Sequence, residues 1–344
     1  MKATGTVALD QQMKSLRWKG FVAQNAILFI WFLFFVVSLL FLDGFATPYN
    51  LRSYLANCSP LLVVACGLTV VTLNGGIDFS TTSVISLVST ISAYIMVKSA
   101  VADTAFAIPA AILAGFAIGA VVGAINGIAV SRLKMPSFVA TLASMQIFSG
   151  LAIWFGSIFY EKISLGGLPR SFIVLGGKGN NYWVPVLVAA VVFLLFHWML
   201  TRTLLGRHIY AVGVNPNTAR ISGVSIRKII FIECLLCGLT ASLAGLMYTA
   251  KNGAGITTMG QDMFIDIVGA VVIGGTRPAG GSGSVRQTLY GVLFLVLLNN
   301  ILNLIGVPFT LYNVVKGVFI LLAASLELMT RRMNIRAAAR AARA

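Results

Sequence analysis

Charged residues are scarce in this chain of 344 residues, because only 10% of them are Asp, Glu, Lys or Arg. Soluble chains carry about 25% charged residues, whereas here 58% of the residues are hydrophobic. The composition therefore excludes a water-soluble globular domain. The apolar stretches approach ~20 residues, the length that crosses a bilayer core as a helix. We predict an all-α polytopic membrane protein with about ten transmembrane helices.

Residues and motifs of catalysis are also scarce. Only two histidines occur, His197 and His208, and the four cysteines fall inside apolar runs. We therefore predict no metal site, and we interpret Cys234 and Cys237 as packing residues. The sequence contains no GxxxxGK[ST] phosphate loop, GxSxG or HExxH. The chain is predicted to hold no cofactor, to hydrolyse no nucleotide itself and not to be an enzyme.

Acidic residues number only nine against 25 Lys and Arg, which gives a net charge of +16. Such a basic chain raises the question of nucleic-acid binding. The positive charges, however, lie in loops and tails that flank apolar runs, which is the positive-inside pattern of membrane proteins. We expect the lipid bilayer as a partner and no nucleic acid.

The spans are assigned from the apolar runs and the charges between them. Their predicted cores are 21–42, 55–73, 80–97, 106–130, 138–158, 184–200, 229–250, 264–275, 286–304 and 311–329. With the N-terminus inside, most Lys and Arg face the cytosol. The exceptions are Arg52, Lys98, Lys162, Arg170, Lys178 and Lys251 outside, and Lys316 within the last span. We predict a cytosolic segment 1–20, a transmembrane domain 21–330 and a basic cytosolic tail 331–344.

One basic loop, at 201–228, carries no acid and is predicted to face the cytosol. Asn215 suits the N-cap of a short helix, Pro216 its first position and Gly223 the residue after its end. A capped helix between two spans indicates a docking element for a cytosolic partner. Its candidate residues are Asn215, Pro216, Thr218, Ala219, Arg220, Ser222 and Gly223.

Two glycine-rich breaks, at 74–80 and 274–283, interrupt the apolar pattern. Gly-interrupted segments at corresponding places of two halves are typical of a transport core. The span before the second break has about 12 residues, or ~18 Å of helix against a ~30 Å core, so we expect that break within membrane depth. The glycines of the breaks are Gly75, Gly76, Gly274, Gly275, Gly280 and Gly281.

Several polar residues lie in or beside apolar runs, and two interpretations of each stay open. Asp78 could cap the helix that starts near Phe79, or contact a substrate or ion. Buried Asn could join helices or line a pore. For Glu233 and Asp266 we expect structural pairing. The candidates for a translocation pathway are Asn74, Asp78, Asn126, Asn299, Asn300 and Asn303.

Two further features concern the shape of the spans and the outer surface. Pro60 lies within the second span and predicts a kink or break there. The longest outside segment, 159–183, contains glycines and mixed polarity. It suits a lid or docking surface, or a passive connector.

Six motifs in order resemble the permease subunits of bacterial ATP-binding-cassette importers of the ribose and monosaccharide type. The resemblance covers roughly residues 20 to 330. Permeases for nucleosides and branched-chain amino acids share parts of the pattern. The motifs lie at 75–87, 123–145, 206–226, 237–251, 270–284 and 299–309.

The resemblance implies a type II importer permease in the bacterial inner membrane, with both termini in the cytoplasm. It implies a dimer with a second copy or a paralogue and a pathway at or near the dimer axis. It also implies a cytosolic ATPase that receives helix 215–223 as a coupling helix, and a periplasmic or extracellular solute-binding protein. The solute would be a sugar or sugar-like compound, with an ABC permease for nucleosides or an ion-coupled secondary transporter as alternatives.

The sequence departs from the resembled family at two places. Phe79 follows GGID where relatives carry an aliphatic residue, and Arg277-Pro278 follows GGT where relatives have a smaller or uncharged pair. These departures leave the identity of the solute open.

Overall fold

The structure is a computed structural model that describes residues 26–160, 162–178, 180–308, 310–322 and 325. The predicted cytosolic segment 1–20 and the basic tail 331–344 lie outside the described residues. The elements are α1 (Ala26–Phe41), α2 (Pro48–Leu73), α3 (Ser80–Val97), α4 (Ala107–Ser131), α5 (Ser137–Phe159), β1 (Ser164–Gly166), α6 (Arg170–Ile173), α7 (Trp183–Arg202), α8 (Leu204–Val214), α9 (Pro216–Ile221), α10 (Ile226–Asn252), β2 (Ala254–Ile256), α11 (Phe264–Ile273), α12 (Val285–Leu304) and α13 (Thr310–Leu322).

Seven of these helices are long and apolar enough to cross a membrane, namely α2, α3, α4, α5, α7, α10 and α12. Three shorter apolar helices accompany them, α1, α11 and α13. Each predicted span core coincides with one of these helices, although the first and last cores extend beyond the described residues. The predicted polytopic helical architecture is therefore confirmed, with one small sheet as the addition that the sequence did not predict.

The centre of the bundle is formed by α2, α3 and α10. Every residue of α2 from Cys58 to Leu73 is buried, and so is every residue of α3 from Ser80 to Thr90. Helices that are apolar all round are buried in the core of a large protein or span a membrane. Around this centre, α4, α5 and α7 leave large apolar side chains exposed, such as Leu113, Ile147 and Trp198. These faces suit contact with lipid or another subunit.

Two long helices approach closely where α4 crosses α10. A Cβ built on Gly119 would lie 2.3 Å from Gly238 O, and one built on Gly238 would lie 2.2 Å from Gly119 O. Gly123, one turn further along α4, meets Cys234 O in the same way. Small residues allow helix backbones to approach closely in membranes, so this glycine row determines the α4–α10 packing.

Pro60 does not break α2. The helix continues from Pro48 to Leu73 with Pro60 inside it, so the break that the sequence allowed is absent. Proline is tolerated within transmembrane helices where neighbouring helices and side chains satisfy the freed backbone groups. Here both Ser59 and Pro60 are buried among the surrounding helices.

A small antiparallel sheet joins the predicted outside segment to the chain that follows α10. Strand β1 pairs with β2, and Leu165 lies opposite Gly255. Gly255 also packs on α3, because a Cβ there would lie 2.3 Å from Ala93 Cβ. The segment 162–178 is thus fixed to the bundle at this strand.

Candidate functional site

The two glycine breaks lie against each other. Gly281 N donates a hydrogen bond to Leu73 O, the last carbonyl of α2, at 2.8 Å. A Cβ on Gly280 would lie 2.8 Å from Gly75 N, and Gly75 and Gly280 have φ of 75° and 83°. This backbone contact has no room for side chains, and the left-handed conformation favours glycine. The sequence placed the breaks at corresponding positions but gave no sign that they touch.

Helix α8 packs onto this junction and connects it to the predicted docking helix. Gly213 is in contact with Leu73 O, since a Cβ there would lie 2.0 Å from that oxygen. Tyr210 Oη donates to Gly283 O at 2.8 Å. Burial raises the pKa of Tyr210, so the hydroxyl keeps the proton that it donates. Gly213 and Tyr210 were not among the residues predicted from the sequence.

Helix α9 has the caps that the sequence predicted. Asn215 Oδ1 accepts from Thr218 N at 3.1 Å, and Pro216 occupies the first helical position. Gly223 has a φ of 84°. Val224 N donates to Ala219 O and Gly223 N to Arg220 O, each at 3.0 Å. This is the Schellman pattern of a helix end, so the capped helix is confirmed.

The surface of α9 combines charge with an exposed apolar side chain. Arg220 is exposed, and Ile221 beside it is 86% exposed, whereas Ala219 is buried. Val214, just before the N-cap, is also largely exposed. Arginine is enriched at the energetic centres of protein contacts, and the two apolar side chains are accessible beside it. The sequence analysis did not include Ile221 and Val214, because exposure depends on where α8 places the helix.

Asp78 begins a buried chain of hydrogen bonds. Its carboxylate accepts from Ser80 N at 2.9 Å and Ser80 Oγ at 2.6 Å. Ser80 Oγ accepts from Asn126 Nδ2 at 2.8 Å, and Ser144 Oγ donates to Asn126 Oδ1 at 2.5 Å. This series of hydrogen bonds connects the first break to α4 and α5, and the Asp78 carboxylate contacts the first residue of α3. Ser144 lies seven residues into α5, or ~10 Å of helix rise, so this break reaches into the bundle.

The irregular backbone of the first break is satisfied by neighbouring side chains. Ile77 O accepts from Thr141 Oγ1 at 3.1 Å, and Ile77 N donates to Ser137 Oγ at 3.4 Å. Asn74 Nδ2 donates to the Glu233 carboxylate, which is the structural pairing expected for Glu233. Non-helical backbone is tolerated at membrane depth only where protein buries it or a water-filled cavity adjoins it. The first break has the protein environment that this rule requires.

A second irregular segment, 253–263, runs beside α3. Ile256 N donates to Ser89 Oγ at 3.0 Å, and Gly260 N donates to Ser86 Oγ at 2.9 Å. The segment follows α3 towards its first turn and leads into α11. Helix α11 alone is ~15 Å long, which is too short to cross a ~30 Å bilayer core. Segment 253–263 extends it on the side of α10, whereas the sequence analysis expected an extension only from the second break.

An aromatic stack closes the end of this segment. The rings of Phe79 and Phe264 lie with centroids 4.3 Å apart and planes 14° apart. Phe79 precedes α3, and Phe264 is the first residue of α11. The stack therefore joins the first break to the start of the short helix α11.

The amides of α12 lie elsewhere. Asn300 and Asn50 form a reciprocal pair, with N–O distances of 2.7 and 3.1 Å. Asn299 donates to the Asp266 carboxylate, and its own Oδ1 is buried without a partner among the described residues. Asn303 is exposed. The six pathway candidates thus occupy separate places, with Asn74, Asp78 and Asn126 at the first break and the rest on α12.

Asp266 also forms an ion pair inside the bundle. Its Oδ1 lies 2.7 Å from Lys316 Nζ, and the Lys316 side chain is 5% exposed. The pair joins α11 to α13. Structural pairing of Asp266 was expected, but its partner was not.

Potential metal-binding side chains are dispersed in the part of the chain that the structure describes. No group of three or more His, Cys, Asp or Glu residues there could hold a metal ion. The four cysteines are free and buried, which agrees with their interpretation as packing residues.

Comparisons with known proteins place the sequence in a family of transport permeases. Residues 50–324 match the family described as "Branched-chain amino acid transport system / permease component". The chain is 37% identical to the ribose import permease protein of Escherichia coli strain K12 over 286 residues, covering 81% of this chain and 86% of that protein. It is 33% identical to the ribose import permease protein of Bacillus subtilis strain 168 over 326 residues, covering 94% and 98%.

A more distant relative transports a different sugar. The chain is 28% identical to the galactose/methyl galactoside import permease protein of Haemophilus influenzae over 323 residues, covering 88% of this chain and 94% of that protein. No solved structure matches the chain.

Proposed function

Because the chain belongs to the family of branched-chain amino acid transport system permease components, we propose that it is the permease subunit of an ATP-binding-cassette importer for a sugar or sugar-like solute. The observation that carries this proposal is the 37% and 33% identity to ribose import permeases over most of the chain. As a permease it is a transport component and not an enzyme. ATP hydrolysis belongs to a separate ATPase subunit.

We place the chain in a bacterial inner membrane. In this proposed orientation α8, α9 and both termini face the cytosol. The basic charge of the loop 201–228 supports this direction. The docking residues of α9 contact the ATPase, with Arg220 offering charge and Ile221 an apolar anchor. Arginine is enriched among the residues that carry most of the binding energy of protein contacts.

The proposed coupling route runs from α9 through α8 into the two breaks. When the ATPase moves α9, α8 moves with it, because only Asn215 separates the two helices. Gly213 then presses on Leu73 O, and Tyr210 pulls on Gly283 O. Both contacts lie at helix ends, where a shift reorients α2 and α12. The chain thereby converts a movement at its surface into a movement of its core.

The pathway and the other partners complete the proposal. A solute-binding protein delivers the solute on the outside, and a second permease copy or a paralogue forms the other half of the pathway. Asn74, Asp78, Asn126, Asn299, Asn300 and Asn303 stay candidates for that pathway. In the described conformation Asp78 and Asn126 are buried and hydrogen-bonded within the chain, so a role in transport requires the first break to open.

Purification of the tagged chain after mild extraction tests the assignment. We expect a cytosolic ATPase with a phosphate-loop motif to copurify. Uptake of radiolabelled ribose, galactose and a nucleoside then distinguishes the solute classes. A chain without an ATPase, with uptake that survives ATP depletion and collapses with an ionophore, would instead establish an ion-coupled secondary transporter.

The docking helix has its own test. We expect Arg220→Ala together with Ile221→Ala to abolish copurification of the ATPase and uptake. Arg227→Ala is the matched control, since Arg227 is an exposed arginine outside α9, in the first turn of α10. Equal loss in both variants, or loss in neither, would contradict the assignment of α9.

A further inference from the structure

A cavity of about 490 Å³ lies at the opposite end of the bundle from α8 and α9. The first turns of α2, a loop that contributes Gly176, Gly177, Lys178, Asn180 and Tyr182, and Lys251 at the end of α10 surround it. Helix α8 contacts the other end of α2, at Leu73. Pockets for small molecules have volumes of about 300–1,000 Å³. The cavity is therefore large enough for a small ligand or a lipid headgroup, at a place that the coupling route does not use.

The lining of this cavity carries positive charge only. Arg52, Lys178 and Lys251 all line it, and none of the described lining residues is acidic. Tyr49, Ser53, Asn57 and Asn180 add neutral polar groups. A cleft lined by charges of one sign focuses the electrostatic field and concentrates the opposite ion.

The partners of these cations within the chain are neutral. Arg52 Nη1 donates to Asn180 Oδ1 at 3.3 Å, and its guanidinium lies 5.2 Å from the Tyr182 ring centroid. Lys178 Nζ donates to Asn252 O at 3.3 Å. Within the part of the chain that the structure describes, no carboxylate forms an ion pair with any of the three cations. Their charge is left for a ligand to compensate.

Close backbone packing holds the cations around the cavity. A Cβ on Gly176 would lie 2.1 Å from Lys251 N, so this loop residue is in direct contact with the end of α10. Gly177 has a φ of 80° and lies against Pro185 and Ala56. The loop that carries Lys178 is thus fitted onto three helices, and its backbone is fixed at the edge of the cavity.

We propose that this cavity binds a phosphate group, either that of an anionic phospholipid or that of a free phosphate. Arginine offers a planar set of donors that matches phosphate oxygens, and lysine adds a compact charge. A neutral sugar would leave the three cations uncompensated. In the proposed orientation the cavity faces the outer side, within reach of the headgroups of the outer leaflet and of soluble phosphates outside the membrane.

Two binding measurements on the full chain, purified in neutral detergent, test this proposal. The first follows the melting temperature as inorganic phosphate replaces chloride at equal ionic strength. The second counts bound phosphatidylglycerol by native mass spectrometry, with the matched diacylglycerol as the lipid without phosphate. We compare wild type with Arg52→Gln/Lys178→Gln. The matched control is Lys162→Gln/Arg170→Gln, which removes one exposed lysine and one exposed arginine from the same loop region outside the cavity.

We expect wild type and the control variant to respond in at least one arm, and the cavity variant to bind at least tenfold more weakly. A response to phosphatidylglycerol alone identifies a lipid site, and a response to inorganic phosphate identifies a site for a soluble phosphate. If wild type responds in neither arm, or both double variants bind equally, the proposal is wrong. Lys178→Gln alone replaces the cavity variant if that variant unfolds. The ATPase is absent from these measurements, so their outcome is independent of the importer assignment.

Discussion

Gly213 of α8 lies against the last carbonyl of α2. A Cβ built on Gly213 would be 2.0 Å from Leu73 O, and the same oxygen accepts a hydrogen bond from Gly281 N at 2.8 Å. Three segments thus meet at one atom: the end of α2, the second break and the helix that leads to α9. The carbonyls at a helix end carry partial negative charge and need donors. Leu73 O has its donor only while the three segments keep this arrangement.

Gly213→Ala is therefore expected to uncouple transport. The added methyl group overlaps Leu73 O, and overpacking of this kind costs about 1–3 kcal/mol. The strain separates α8 from the breaks, so we expect uptake to fall about tenfold or more while the ATPase still copurifies. Gly150→Ala is the control, because a Cβ there meets nothing within 4 Å. Normal uptake by Gly213→Ala would show that coupling does not pass through this contact.

The caps of α9 could be predicted from sequence, whereas this contact could not. Asn215, Pro216 and Gly223 act within a few residues of one another, so their preferences are local. The contact of Gly213 with Leu73 depends on how helices far apart in sequence are packed. Glycine at 213 gave no local signal, because α8 continues through it as regular helix.

The apolar helices were predictable for a similar reason, because the lengths of apolar runs are a local property. The segment 253–263 was not, since its backbone depends on Ser86 and Ser89 of α3 for hydrogen bonds. Those serines look like ordinary helix residues in sequence. Asp266 likewise gave no sign that its partner would be Lys316, which lies on another helix.

The crossing of α4 and α10 predicts a stability effect that does not depend on coupling. Gly119→Ala would push a methyl group towards Gly238 O, which a Cβ there approaches to 2.3 Å. We expect a loss of about 1–3 kcal/mol of stability, measured as a lower melting temperature in detergent. Gly317→Ala on α13 meets nothing within 4 Å and should melt like wild type. An unchanged melting temperature for Gly119→Ala would contradict the close packing of the two helices.

The N-cap of α9 predicts a graded effect. Asn215→Ala removes the acceptor of Thr218 N and should cost about 0.5–2 kcal/mol of helix stability, whereas Asn215→Ser keeps a capping oxygen. We therefore expect faster amide hydrogen exchange across α9 and weaker ATPase copurification in Asn215→Ala, with recovery in Asn215→Ser. Alanine and serine variants with equal exchange rates would show that the cap does not hold α9.

The Asp266–Lys316 pair predicts how the melting temperatures of two single variants compare with that of the double variant. Removing one partner leaves the other charge buried, which costs about 3–5 kcal/mol, whereas replacing both removes this penalty. Asp266→Asn and Lys316→Met should each lower the melting temperature more than the combined variant does. Lys98→Met is a control, because Lys98 is exposed and donates its hydrogen bond to a neutral carbonyl.

The cycle also separates a structural role for the pair from a role in transport. If the ion pair only joins α11 to α13, the double variant should regain uptake together with stability. If Asp266 or Lys316 takes part in moving the solute, the double variant should melt near wild type and still fail to transport. If the double variant lost as much melting temperature as the two single variants together, the pairing itself would be contradicted, because partners in contact must couple.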